Sequence, residues 1–299
     1  WPRKRAKRIY PRMGNPSPTA SERIAGFAGY KAGMTRVVYI DNKKGSATEG
    51  QEIVRPVTVL ECPGLMVCAI RTYMKTPYGM RNVHNIWAQN LNKDLDRRLK
   101  IPKKTDPHAK IKDVGEQIEK LSDIRLLVHT APRKTAIGKK KPEVFEVQVG
   151  SDDVSAKWAY AKERLGKEIR ASEIFKEGDW IDVKAVTTGQ GWMGPVKRFG
   201  VKVRPRKHEK KRRHGGVIGA RGVGRVIPGK IAMAGQHGFH TRTEYNKRVL
   251  KVGSDGLTPK GGWLNYGEIK ADYMIIELSL IHISEPTRPL YISYAVFCL

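Results

Sequence analysis

Cysteine is scarce: the chain has three in 299 residues, Cys62, Cys68 and Cys298. They form no C-x-x-C pair and no Cys/His ladder at zinc-ligand spacing, so the sequence offers no zinc ribbon or finger. Cys62 and Cys68 flank a Pro63-Gly64 turn and are expected as buried thiols rather than a disulfide. Long apolar runs are missing as well. Nothing approaches the ~18–20 residues of a spanning helix, and the densest basic segments lack the interleaved Leu, Phe and Trp of an interfacial amphipathic helix. Acid is the scarcest commodity in the middle of the chain, where Lys197 to Lys251 holds seventeen Lys/Arg against Glu209 and Glu244. A glycine-rich stretch of that charge has little apolar surface to offset a backbone ordering cost of about 1–2 kcal/mol per residue.

What is present in excess is positive charge. The formal net charge is +28, which points to a dense polyanion as the partner that orders the basic stretch, because each neutralised phosphate releases condensed counterions. Lys/Arg residues also crowd the start, with Arg3, Lys4, Arg5, Lys7, Arg8 and Arg12 and no acid before Gly14-Asn15-Pro16-Ser17-Pro18. That pattern reads as a basic arm followed by a hinge. Enough apolar residues lie outside these segments, 39 % of the chain in all, to build a core.

Between arm and basic stretch the chain breaks into short apolar segments divided by turns. Gly26 to Thr35 leads into the apolar Val37-Val38-Tyr39-Ile40, Asp41 to Gly50 reads as a polar hairpin loop, and Ile53 to Glu61 alternates, with Ile53, Arg55, Val57 and Val59 expected on one face. Leu65 to Tyr73 is apolar on both faces, as in a buried strand, and Pro63-Gly64 fits a tight connection. Ile111, Val114, Ile118 and Leu121 recur at helical spacing. Ile124–Val128 and Phe145–Val149 read as strands. Ser151-Asp152 is the expected cap of a helix carrying Val154, Trp158, Ala161 and Leu165, with Gly166 as its terminator. A strand at Trp180–Val186 delivers the chain into the basic stretch through Gly189-Gln190-Gly191-Trp192-Met193-Gly194-Pro195. Small residues there let backbone approach phosphate or ribose, while Trp192 either stacks on a base or wedges into the body.

Two near-motifs for catalysis fail on chemistry. Gly224 to Lys230 has the spacing of a phosphate-binding G-x-x-x-x-G-K loop, but Ile231 stands where Ser or Thr holds magnesium, and no strand leads into it. His237 and His240 have no Cys or carboxylate partner within reach in sequence to complete a metal site, and are expected to meet RNA or backbone. No local Ser/His/Asp or Cys/His pattern stands out. Basicity alone leaves a chromatin or other DNA-binding protein open, and an RNA-modifying enzyme after it, although helix-turn-helix, zinc-finger and basic-zipper patterns are absent.

Longer words carry a resemblance. Gly189-Gln190-Gly191-Trp192-Met193-Gly194-Pro195-Val196-Lys197-Arg198-Phe199-Gly200, Arg206-Lys207-His208-Glu209-Lys210, Arg212-Arg213-His214-Gly215-Gly216-Val217-Ile218-Gly219, Ala234-Gly235-Gln236-His237-Gly238 and His240 through Arg248 resemble the universal large-subunit ribosomal protein three family, archaeal branch. Gly26 to Thr35 is similar to that family's opening strand, and the resemblance runs from about Pro2 to about Tyr273. It implies a mixed β fold with an α/β insertion: an elongation-factor-like antiparallel β-barrel body, a long basic internal loop and a basic N-terminal extension. The implied division is residues 1–20 as extension, 21–80 and 176–276 as body, 81–175 as insertion and 188–246 as loop.

The resemblance further implies a structural constituent of the large ribosomal subunit in the cytoplasm. Its partners would be 23S-type ribosomal RNA and neighbouring large-subunit proteins, with no membrane, cofactor, metal, small-molecule substrate or catalytic residue. The loop would reach toward the peptidyl-transferase centre, and the protein would act early in subunit assembly. The implied rRNA-binding set is Arg3, Lys4, Arg5 and Arg8 in the arm; Gln190, Trp192, Lys197 and Arg198 at the loop base; Arg204, Arg206, Lys207, His208, Lys210, Lys211, Arg212, Arg213 and His214 on the basic flank; Arg221, Arg225 and Lys230 at the tip; and Gln236, His237, His240, Arg242, Lys247 and Arg248 on the return. Two features depart from the family. The tip, Gly222 to Lys230, has no Trp, and residues 277–299, with Leu278 to Pro289 resembling translated sequencing-adapter read-through, are expected to be non-native.

Overall fold

The computed structural model describes residues 3–13, 23–42, 44–102, 106–208, 211–215, 231–254, 256–277 and, as backbone alone, 295–298. Their fold is rich in antiparallel sheet with few helices. In chain order the elements are β1 (Phe27–Ile40), β2 (Glu52–Glu61), β3 (Leu65–Thr76), β4 (Gly79–Trp87), α1 (Pro107–Gly115), β5 (Asp123–His129), β6 (Val144–Gln148), α2 (Val154–Arg164), β7 (Glu168–Ile169), α3 (Ala171–Ile174), β8 (Trp180–Val186), β9 (Trp192–Met193), α4 (Pro195–Phe199), β10 (Gly235–Gln236), β11 (Thr241–Gly253), β12 (Tyr273–Glu277) and β13 (Ala295–Cys298).

One set of strands pairs in the order β1–β13–β8–β11–β12–β2, and β2 returns to β1 through the 41–51 hairpin loop. Every pairing in it is antiparallel. Ile181, Val183 and Ala185 point inward along β8 as their alternation predicts, meeting the buried Phe27, Val57, Val59, Val249, Met274 and Ile276. Burying each such side chain contributes about 1.5–3 kcal/mol. In β2 the expected alternation fails: Arg55 is exposed, while all five residues from Val57 to Glu61 are buried. The second half of β2 is covered on both faces: Val59 and Leu60, which point to opposite sides of the strand, both lie in the apolar core.

A second sheet runs β4–β3–β5–β6, with β7 on β3. Leu65 to Tyr73 is the buried strand its sequence predicts, but it pairs with β4 and β5 rather than β2. The change of sheet falls at Cys62–Gly64. A turn dipeptide shows where a chain bends and is silent about which sheet receives it. On one face of this sheet α2 packs through Trp158 and Ala161; Cys68, Ala69, Leu127 and Val144 form a smaller cluster with Leu95 on the other. The α2 cap is Asp153, one residue later than expected, accepting from Ser155 N at 3.1 Å. Gly166 terminates the helix region with φ +76°. The 111–121 stripe is apolar toward the core, yet the helix stops at Gly115 and a single 3₁₀ turn follows. Cys62 and Cys68 are buried thiols rather than a disulfide, and burial pushes the Cys68 thiol up to about 12.

Candidate nucleic-acid interface

The basic stretch leaves the body on a stem. β8 and β11 part at Val186 and Thr241, but their backbones keep pairing outward: Thr187 N donates to His240 O at 2.9 Å, Gln190 N to His237 O at 2.9 Å and His237 N to Gly191 O at 2.8 Å. Trp192 then pairs with Gln236, and Met193 with Gly235. The ribbon kinks at two consecutive left-handed residues, Gly238 (φ +71°) and Phe239 (φ +54°). A β-carbon on Gly238 would lie 1.9 Å from Thr188 O, so this turn accepts glycine alone.

Past the stem, Pro195 opens the one-turn helix α4, its ring supplying the helical φ, and Gly200 closes it in the left-handed conformation. This turn aims Arg198 back across the ribbon, where Nε donates to Gln236 O at 3.1 Å and Nη1 to Met233 O at 2.9 Å. The returning limb can approach because residue 235 is glycine: a β-carbon there would fall 2.6 Å from the Arg198 guanidinium. Arg198 thus clamps the loop's two limbs while keeping further donors.

The N-terminal arm straps this stem. His240 Nδ1 donates to Lys4 O at 3.0 Å, and Ala6 N donates to Phe239 O at 2.8 Å. Arg3 sits 3.9 Å above the Phe199 ring, with Arg198 at 5.2 Å from the same centroid, and Arg5 lies 5.7 Å from Phe239. The Lys4 carbonyl fixes the His240 proton on Nδ1; burial keeps the imidazole below its ordinary pKa, with Arg242, His237 and Arg198 adding to the effect. Its Nε2 is buried with no partner among the described residues. Burial and Arg3 likewise lower Arg242. Six residues of the predicted set, Arg3, Gln190, Arg198, His237, His240 and Arg242, line one cleft, and Glu244 is the acid among its described lining residues.

Other predicted residues surround this centre or lie away from it. Trp192 is 76 % exposed, so its wedge reading is wrong and its ring is open to solvent beside the stem. Gln236 Nε2 is engaged internally, donating to Gly238 O at 3.0 Å. Lys4, Lys197, Arg206, Lys207, His208, Lys211, Arg212, Arg213 and His214 are exposed, and Arg204 and Arg212 hold the flank together by a backbone bond of 3.2 Å and Arg212 Nε to Arg204 O at 3.3 Å. Arg8 lies at Tyr10, 5.7 Å from its ring. Lys247 and Arg248 do not line the cleft: they lie further along β11, where Lys247 pairs at 3.1 Å with Glu244 at the cleft's edge. Lys210, Arg221, Arg225 and Lys230, with the tip and its P-loop-like spacing, lie outside the described residues.

The arm also departs from a simple extension, since Tyr10 and Pro11 are buried. Sequence reasoning missed Phe199 and Phe239 as the platforms for arginine, because nothing in their neighbours separates a stacking Phe from a core one. Among the described residues no group of three or more His, Cys, Asp or Glu is placed to hold a metal, and no helix is long and apolar enough to cross a membrane.

The family model for "Ribosomal protein L3" matches residues 1–282. The large ribosomal subunit protein uL3 of Methanococcus vannielii is 44 % identical over 280 residues, covering 92 % of this chain and 83 % of that relative. The uL3 of Archaeoglobus fulgidus is 45 % identical over 305 aligned residues, covering 96 % and 89 %, and that of Methanocaldococcus jannaschii 42 % over 284, covering 93 % and 84 %.

Proposed function

The chain belongs to the ribosomal protein L3 family, and from that premise we propose that it is a structural, non-enzymatic constituent of the large ribosomal subunit, anchored in 23S-type ribosomal RNA by its stem and loop. The observation that carries this is the strapped stem. Arg3, Arg198 and Arg242 converge on one cleft, with His237 and His240 beside them and one acid in the lining. Converging cations repel one another unless an anion lies between them, and a phosphodiester backbone supplies regularly spaced anions. The open Trp192 ring adds a face on which a base can stack.

On this reading the ring of strands is an elongation-factor-like barrel body, and the second sheet with α1 and α2 is the insertion. The loop extends toward the peptidyl-transferase centre, where chemistry belongs to RNA, and its tip makes contact through Arg221, Arg225, Lys230 and close glycine backbone rather than through a Trp. RNA binding at the stem and arm together suits an early role in assembly, and neighbouring large-subunit proteins complete the surroundings in the cytoplasmic ribosome.

Sedimentation tests the reading. The protein is expected to travel with 50S-type particles through a high-salt gradient, whereas free protein at the top under all salt conditions overturns it. Arg212→Ala with Arg213→Ala is expected to weaken RNA association and reduce the slope of log affinity against log salt by about 0.7–0.9 per lost phosphate contact.

A further inference from the structure

The outer face of the insertion sheet carries charge that its packing does not call for. Asn85, Arg71, Arg125 and Gln148 are register partners across β4, β3, β5 and β6. Two arginines therefore stand directly opposite each other on neighbouring strands, an arrangement that opposes pairing. Each has a carboxylate, but a shared one. Arg71 pairs with Glu146, which also accepts from Tyr73 OH at 2.7 Å; Arg125 pairs with Asp123 at 2.9 Å, which also accepts from Lys157 at 3.1 Å.

More arginines close around this pair. Arg8 and Arg12 come from the arm and Arg98 from the segment covering the sheet, so that five guanidinium groups line one cleft in which Glu146 is the carboxylate among the described lining residues. Rings as well as carboxylates hold these arginines in place. Tyr10 is buried with its hydroxyl donating to Val144 O at 3.1 Å, Arg98 donates to that hydroxyl at 2.8 Å, and Arg8 and Arg98 each lie 5.7 Å from the Tyr10 centroid. Arg125 lies 5.0 Å from the Tyr73 centroid. Guanidinium planes fixed this way keep their forked donors for planar, multidentate acceptors such as phosphate.

We propose that this cleft is a second RNA-backbone site, on the insertion and apart from the loop stem, taking phosphodiester groups on Arg12, Arg71, Arg98 and Arg125. It rests on the rRNA-binding reading above. Continuity with the arm favours RNA over an acidic protein segment: the same irregular segment that presents Arg3, Lys4 and Arg5 at the stem presents Arg8 and Arg12 here. From Lys4 to Tyr10 the chain spans at most about 20 Å, so an RNA strand following the arm meets both sites. A local rule broken in the sheet is then the mark of a site kept for its ligand.

The test uses the full chain with a transcript of large-subunit rRNA, read by hydroxyl-radical footprinting and by binding across a salt series. The probe variants are Arg12→Gln alone, which touches only the exposed arm, and Arg12→Gln with Arg125→Gln, which also removes one of the opposed charges. The double variant is expected to melt no lower than wild type and to flatten the log–log salt slope by roughly 1.5. It should lose protection at one set of nucleotides while those lost with Arg212→Ala/Arg213→Ala stay protected; Arg12→Gln alone should show about half the slope change. Unchanged slope and footprint in both variants, or crosslinking of the cleft to a protein segment instead of RNA in assembled particles, overturns the proposal while leaving the stem reading intact. A wild-type chain that protects no nucleotides overturns both.

Discussion

The α-carbon of Gly238 is packed against the carbonyl oxygen of Thr188, at the kink where the loop's returning limb rejoins the body; a β-carbon would come within 1.9 Å of that oxygen. Gly238→Ala combines this clash with a left-handed φ of +71°. Such backbone strain alone costs on the order of 1–3 kcal/mol. The variant is expected to unfold at lower temperature and to bind rRNA more weakly, because the stem pairs Gln190–His237 and Thr187–His240 flank the kink. Gly191→Ala, at φ +68° with nothing within 4 Å of its β-carbon, serves as the comparison and should lose distinctly less stability in the same melting experiment.

Arg198 joins the limbs by two hydrogen bonds to backbone carbonyls. Arg198→Lys keeps the charge and gives up the fork. Limited proteolysis is expected to cut the 200–235 region faster in the variant, and rRNA affinity is expected to fall several-fold even though net charge is unchanged. Wild-type cleavage and affinity would show that charge alone, and not the clamp, is what matters at this position.

Glu61 is buried between β1 and β12 and organises the segment before β12: it accepts from Tyr266 OH, from Lys270 N at 2.7 Å and from Ala271 N at 2.8 Å. Burial raises its carboxyl pKa, opposed by these donors. Glu61→Ala leaves the donors without an acceptor, at about 1–3 kcal/mol for a buried group left unmade, and is expected to lower the melting temperature by roughly 5 °C. Glu61→Gln retains an acceptor and has no charge to desolvate, so thermal melts should place it well above the Ala variant at neutral pH.

His240 is held neutral by burial, so the unfolded chain binds its proton more readily than the folded one. Stability tied to this residue is present above the unfolded histidine pKa of about 6.5 and is lost as pH falls through the lower folded value. Arg242, His237 and Arg198 around it all oppose the added charge, and Glu244 is the acid among the described residues of that cleft. Denaturant titrations from pH 7.5 to 5 should show the decline in wild type and a shallower one in His240→Asn, which still offers an N–H to Lys4. His129, also lowered by burial, contributes equally to both proteins and cancels in the difference.

Much of this protein was legible without coordinates. Apolar alternation located Trp180–Val186 to the residue, because one face of that strand meets the core and the other does not. The failed alternation of β2 comes from core packing on both its faces, which no local pattern encodes. Charge and glycine content set the basic stretch apart from the core-forming segments, and the long words around Gln190, Arg206 and Gln236 carried the family resemblance. Those features are local, and local chemistry is written in the order of residues. Tertiary structure decided what distant residues do together. It brought Arg3 onto Phe199 and Lys4 onto His240, turned Arg198 inward as a clamp, and set Arg71 opposite Arg125 beneath Tyr10. Each of these depends on the register between strands far apart in the chain. Register is settled by the whole core at once, so composition and spacing carry no trace of it.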